Sequence, residues 1–259
     1  MNKLVSGAMG VEIKIAPNQN RVQLPDIAEL RGKRIKHIDI CNIPKTPSGY
    51  NIISNLSYGN IFLTLVELNT QTELIRALPL ELLNPEKERL FINKIVSFNH
   101  SFIDVSALET SEGNRFLYFV FWYDEPAIWN IVPNKNNRTE IHPVEITLTG
   151  KKTYFSEDRD LLNKQIQNII LSLPGYTPTG KNGISSAKDK FLTLRNGTRE
   201  FISRVPLYLF KQQDFPFQLR LQNITFDFQT SYIDALSDAQ DDLGTVFFNF
   251  IVDDNKKKR

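Results

Sequence analysis

The stretches "TELIRALPLELL" at residues 72–83 and "REFISRVPLYLF" at residues 199–210 follow one pattern: Glu, an apolar residue, Ile, two free positions, an apolar residue, Pro, Leu, a free position, Leu. Each reads as a β-strand carrying a proline. Pro79 and Pro206 remove a backbone donor, which disfavours an interior ladder position, so an edge, a bulge or a strand-to-strand corner is expected. A device of this kind used twice raises the question of whether the whole chain is a repeat.

Working outward from the two prolines, residues 11–124 lie over residues 144–254 with the same order of events. "VEIKI" (11–15) matches "VEITL" (144–148), and "ELRGKRIKHIDI" (29–40) matches "DLLNKQIQNIIL" (160–171). Phe-Leu-Thr-Leu recurs in "IFLTLVE" (61–67) and "KFLTLRN" (190–196). After the proline strands, "SFID" (101–104) matches "SYID" (231–234), and the aromatic runs "FLYFVFWYD" (116–124) and "VFFNFIVDD" (246–254) both end in Asp. A recurring order of this length decides architecture ahead of any local motif, and it points to an internal duplication.

Within each copy the runs are short, aromatic or β-branched, and separated by turn formers such as "NIPKTPSGYN" and "LPGYTPTGKNG", the spacing of antiparallel sandwiches and barrels. Residues 156–170 also fit a capped helix, with Ser156 as N-cap. The matching stretch carries Gly32 and then alternates strongly, so a short turn leading into a strand is preferred. "PEKER" (85–89) is read as one helical turn. The expected fold is therefore all-β, with two tandem similar antiparallel β-sandwich or jelly-roll domains at 11–124 and 144–254. The boundaries leave an N-terminal arm at 1–10, a Pro- and Asn-rich linker at 125–143, and a basic C-terminal tail at 255–259.

Composition narrows the function classes. The 259 residues carry 31 basic and 29 acidic side chains, too balanced for a surface that wraps nucleic acid generally. Contact with nucleic acid is expected at most through "NKKKR" (255–259). The single cysteine, Cys41, rules out an intrachain disulfide and a thiol-rich metal site. No apolar run has the length of a membrane span or of a secretory signal core, so a cytoplasm-like compartment is expected.

Chemistry-bearing constellations are sparse. His37, His100 and His142 stand at no metal-ligand spacing, and no phosphate loop, dinucleotide fingerprint or nucleophile elbow occurs. The acidic stretch "SDAQDD" (237–242) lacks the fixed spacing of a calcium loop and reads as a solvated hairpin tip. Asp104 and Asp234, with Ser101 and Ser231, hold the same places in the two copies; they suit backbone capping at a turn better than catalysis. The expectation is no catalytic residue, no cofactor and no metal. Work is left to surfaces, with Trp122, Tyr123, Trp129 and Tyr232 as candidate interface anchors.

Two tandem β-sandwiches, each with a proline strand, an S-[FY]-I-D segment and an aromatic final strand, resemble the double jelly-roll capsid proteins of bacteriophages over residues 11–254. That resemblance implies a virion structural protein, assembled in the host cytoplasm, that makes a homotrimer with copies of itself and contacts other virion proteins. Three chains with two barrels each would imitate a hexagonal tile. A decoration or tail-associated protein of a tailed phage would share these features. A carbohydrate-binding β-sandwich would differ by an exposed aromatic row, with carboxylates about 5–10 Å apart if hydrolytic.

Overall fold

The computed structural model describes residues 4–85, 90–108, 113–124, 138–156, 158, 161, 165–175, 177–211, 218–219, 227, 229–236 and 243–254. Its elements are almost entirely strands. The chain divides into two compact units, one of Gly10–Pro126 and one of Ala127–Arg259 together with Met1–Met9; they are called here the N-unit and the C-unit.

After β1 (Leu4–Val5) comes β2 (Gly7–Ile15), and the N-unit continues with β3 (Arg21–Gln23), β4 (Arg34–Ile40), β5 (Phe62–Val66), β6 (Glu73–Pro79), β7 (Lys94–Ile95), β8 (Phe102–Asp104) and β9 (Arg115–Asp124). Its strands lie in the orders β2-β9-β4-β7 and β3-β8-β5-β6. Numbered along the chain these are positions 1, 8, 3, 6 and 2, 7, 4, 5, the wiring of a jelly roll. The C-unit contains β10 (Arg138–Thr147), β11 (Lys152–Tyr154), β12 (Gln165–Ser172), β13 (Lys190–Asn196), β14 (Arg199–Pro206), β15 (Gln218–Leu219), β16 (Tyr232–Ala235) and β17 (Thr245–Asp254). Here the orders are β10-β17-β12 and β11-β16-β13-β14, the same scheme except at β15, which stands at the place of β7 and pairs with β1.

The alternation read from sequence places the core. Ile35, Ile38 and Ile40 of β4 are fully buried, as are their counterparts Ile166, Ile169 and Leu171 of β12, each contributing about 1.5–3 kcal/mol of apolar burial. The last strand of each unit runs between two neighbours; β17 is buried on alternate residues from Val246 to Val252, but β9 is buried from Phe116 to Tyr123 on both faces. This is why its sequence is a continuous aromatic run rather than an alternating one. Register agrees in detail. A one-residue irregularity falls between Ile35 and His37 against β9, and between Ile166 and Asn168 against β17.

The two prolines close their strands rather than interrupt them. Pro79 pairs with Phe62 and Pro206 with Phe191, each as the last residue of its strand. A φ of −57° and −56° then starts a 3-10 turn at Leu80–Leu83 and Leu207–Phe210. The irregularity expected at the proline sits two residues earlier. Arg76 and Ala77 oppose the single residue Thr64, and Ser203 and Arg204 oppose Thr193, which makes a β-bulge in each unit. Ala77 and Arg204 take positive φ of 49° and 50°, and their amides donate to Thr64 Oγ1 and Thr193 Oγ1, both at 3.2 Å. The threonine of the shared Phe-Leu-Thr-Leu stretch thus satisfies the amide that the bulge takes out of the ladder.

A left-handed backbone at a residue with a Cβ costs about 1–2 kcal/mol, part of which Gly gives back through unfolded-chain entropy. Ala77→Gly is accordingly expected to stabilise the protein by about 0.5–1 kcal/mol, read as a higher denaturant midpoint at unchanged slope. A loss of stability would mean that the Ala77 methyl makes contacts worth more than the strain.

Two of the expected segment boundaries move. Residues 4–10 lie in strands rather than in a free arm: Leu4 and Val5 pair in parallel with Gln218 and Leu219, and Ala8 and Met9 pair in parallel with Ile202 and Ser203 of β14. The run "GAMGVEIKI" is long enough in small and apolar residues to extend β2 backward. Residues 138–143 of the expected linker belong to β10, which pairs with β17 from Arg138 onward. The rest of the linker, "SDAQDD", the C-terminal tail and residues 86–89 of the expected helical turn lie outside the described residues.

Candidate functional site

The positions singled out by the repeat assemble into one local device in each unit. Ser101 Oγ accepts from Val66 N at 3.0 Å and donates to Ser97 O at 2.7 Å, while Ser231 Oγ accepts from Arg195 N at 2.9 Å. Both serines are fully buried. The strand that follows each serine pairs identically: Ile103 opposes Leu63 and Val22, and Ile233 opposes Leu192 and Thr153. On that strand Arg21 lies 3.9 Å over the Phe102 ring and Lys152 lies 3.6 Å over the Tyr232 ring. These are structural contacts that lock β8 and β16 in register.

The twin aspartates diverge. Asp104 accepts from Ser106 Oγ at 2.6 Å and Ser106 N at 2.9 Å, and those hydrogen bonds hold its carboxyl below the usual range, with a smaller push from Arg21. Residue 236, at the place of Ser106, is a buried leucine. Burial pushes Asp234 upward, opposed by Lys152, Arg204 and Lys151. A carboxyl raised on folding contributes stability when protonated, and that contribution is lost as pH rises from about 4 through the raised value. A lowered carboxyl contributes above about 4 and loses its contribution as pH falls. Asp234→Asn is therefore expected to stabilise at pH 7 and to be neutral near pH 3, and Asp104→Asn to destabilise at pH 7 only. Urea midpoints across that range test the opposite signs directly.

The aromatic interface candidates are core residues. Trp122 is fully buried, Tyr123 is 1% exposed and Tyr232 is 4% exposed. β9 is buried on both faces from Phe116 to Tyr123, and the Tyr232 ring is covered by Lys152 and packs edge-on against Tyr154. Trp129 lies outside the described residues. Trp122 donates from Nε1 to Asp39 Oδ2 at 2.7 Å, and His37 Nε2 stands 2.6 Å from Asp39 Oδ1. His37 Nδ1 is 2.6 Å from Leu90 O, so a ring N–H donates there and one proton bridges Nε2 and Oδ1. With all three side chains buried, this cluster joins β4, β9 and the Leu90 segment as internal polar cement. Sequence reasoning missed it because the three residues are chemically linked only when β4 lies beside β9. The His-x-Asp spacing of a strand, which puts both side chains on one face, was the available signal.

Among the described residues no group of three or more His, Cys, Asp or Glu side chains gathers at metal-binding range, and no helix is long and apolar enough to cross a membrane. Among the described residues the exposed aromatic ones are Tyr50, stacked on Phe116 at 4.3 Å, and Tyr154. They belong to different units.

What the described surface does offer is open strand edges, β6 and β10 among them. The β6 edge ends its sheet, and β10 ends its own; among the described strands neither has a neighbour on its outer side. Along β6 the side chains of Leu74, Ile75 and Leu78 are only half buried and Arg76 is 85% exposed. The corresponding residues of β14, Phe201, Ile202, Ser203 and Val205, are all buried. On β10, Ile141 is 67% exposed, although Ala8 at the matching place of β2 is fully buried.

Comparison with known protein families finds no matching family model, and no curated protein matches. One solved structure is similar, the crystal structure of the STIV MCP, at 10% identity, with 95% of this chain and 96% of that chain covered and a TM-score of 0.26. At that TM-score the fold assignment rests on the strand pairing described above and not on the likeness.

Proposed function

We propose that the protein is a virion structural protein, a shell component whose two jelly-roll units arose by duplication and which works by assembling with copies of itself. The observation that carries this reading is the residue-level repetition of one framework. Bulge, threonine acceptor, strand-ending proline and buried serine all recur at matched positions. Two units alike in wiring let a small number of chains imitate a higher rotational symmetry, which is a geometric rather than a chemical use of a fold. The open edges of β6 and β10 give such units something to pair through.

In this reading the role is non-catalytic and needs no cofactor. The assembly is a homotrimer with a pseudo-sixfold outline, it functions in the virion of a bacteriophage alongside other virion proteins, and it forms in the host cytoplasm; the basic tail at 255–259 is the one segment suited to touching nucleic acid. Light scattering on a sizing column, followed by electron microscopy of the peak, tests it. A three-chain species with a hexagonal projection is the expected result, and a strict monomer up to high concentration would refute assembly through self-contacts.

A further inference from the structure

Building on that assembly reading, we propose that copies join by strand addition: Ile141 and His142 of one copy lie in parallel along the outer edge of β6 of the next, at Ile75 and Arg76. The chain carries its own template for this contact. Ala8 and Met9 of β2 pair in parallel with Ile202 and Ser203 of β14, and β2 has β9 on its other side.

Both halves of the template recur without that partner among the described strands. By the pairing with β5 and β13, Ile75 and Arg76 are the counterparts of Ile202 and Ser203: Ile75 opposes Leu65 as Ile202 opposes Leu194. By the match of "VEIKI" with "VEITL", Ile141 and His142 are the counterparts of Ala8 and Met9. That match holds in space, because Glu12 and Glu145 each accept the amide of the matching turn, at Ser48 and Thr179. The counterpart of β9, β17, pairs with β10 through Ile141 and His142, leaving the side of β10 that corresponds to the β14 side of β2 open among the described strands.

Two edges that are complementary in the template are therefore both open. Each contact joins the β6 edge of one copy to the β10 edge of the next, so it can repeat head-to-tail, and the trimer proposed above requires that its rotation close into a ring. The chemistry is that of β-augmentation: main-chain hydrogen bonds supply attraction, and a side chain anchors the register. Ile141, large, apolar and two-thirds exposed, is the anchor, facing the half-buried Ile75. Pro143 has no amide to donate, which confines the ladder to the residues before it.

The test uses the full-length chain. In Arg76→Cys/His142→Cys, a short bismaleimide should link copies into a ladder ending at a closed species, while each single variant gives at most a linked pair; the native Cys41 is buried. Ile141→Lys should weaken self-association at least ~10-fold with an unchanged melting curve, since the side chain is already exposed. If the wild-type chain assembles, yet Ile141→Lys assembles equally well and the double-cysteine variant does not link, strand addition is overturned while assembly stands. If the wild-type chain stays monomeric at every concentration, both readings fall. Linked pairs only, with no higher species, would mean that the contact closes between two copies, and would overturn the head-to-tail ring.

Discussion

Asp39→Ala is expected to destabilise the protein by about 3–5 kcal/mol, the range for breaking one partner out of a buried charged network. The carboxylate answers two buried donors at once, His37 Nε2 at 2.6 Å and Trp122 Nε1 at 2.7 Å. Removing it strands an imidazole and an indole N–H away from water, and each unsatisfied group carries its own desolvation cost. The denaturant midpoint measures the loss. In a Trp129→Phe background, the fluorescence of Trp122 should also shift to the red in the folded state if water enters to replace the carboxylate. Trp122→Phe keeps most of the packing and removes only the N–H, so its cost should be smaller. A double-mutant cycle between the two positions should then show strong coupling. Stability within about 0.5 kcal/mol of wild type in Asp39→Ala would show that the cluster is not what ties β4 to β9.

Phe250→Ala should have a comparable effect in the other unit, about 3–5 kcal/mol, because the cost of a core aromatic truncation combines lost transfer energy with the cavity left behind. Phe250 is fully buried on β17, with the rings of Phe155 and Phe248 at 6.4 Å and 5.8 Å. Its backbone is held from both sides, opposite His142 on β10 and Ile169 on β12, so the strand has little freedom to collapse into the space. Phe250→Leu refills much of that volume and should recover more than half of the loss. Thermal and chemical denaturation of the three proteins gives the comparison. A cost below about 1 kcal/mol for the alanine variant would place Phe250 outside the folding core.

Much of the fold was legible because the decisive signals are local and were written twice. Alternating isoleucines in 35–40 and 166–171, the Phe-Leu-Thr-Leu runs and the terminal aromatic runs all became strands at matched places. The prolines marked real punctuation, one step removed: they end strands, and the bulge lies at Ala77 and Arg204, whose positive φ neither alanine nor arginine announces. Trp122 and Tyr123 were misread for one reason. An aromatic run looks the same whether one face of its strand is covered or both, and β9 is covered on both. The cluster of His37, Asp39 and Trp122 spans 83 residues between Asp39 and Trp122, a separation no local pattern reports.

The sequence by itself determined that this is an all-β chain made of two like segments, because side-chain period, turn chemistry and the order of landmarks are properties of contiguous residues. Tertiary structure alone decided which strands are edges, since that depends on what lies alongside after folding. Ala8 and Met9 cover β14 while the matching positions of β6 stay open, and the difference comes from a segment more than 60 residues away from β6. Exposure at Ile141 and burial at Trp122 follow from that arrangement, because a strand's surroundings are fixed by its neighbours and not by its own letters.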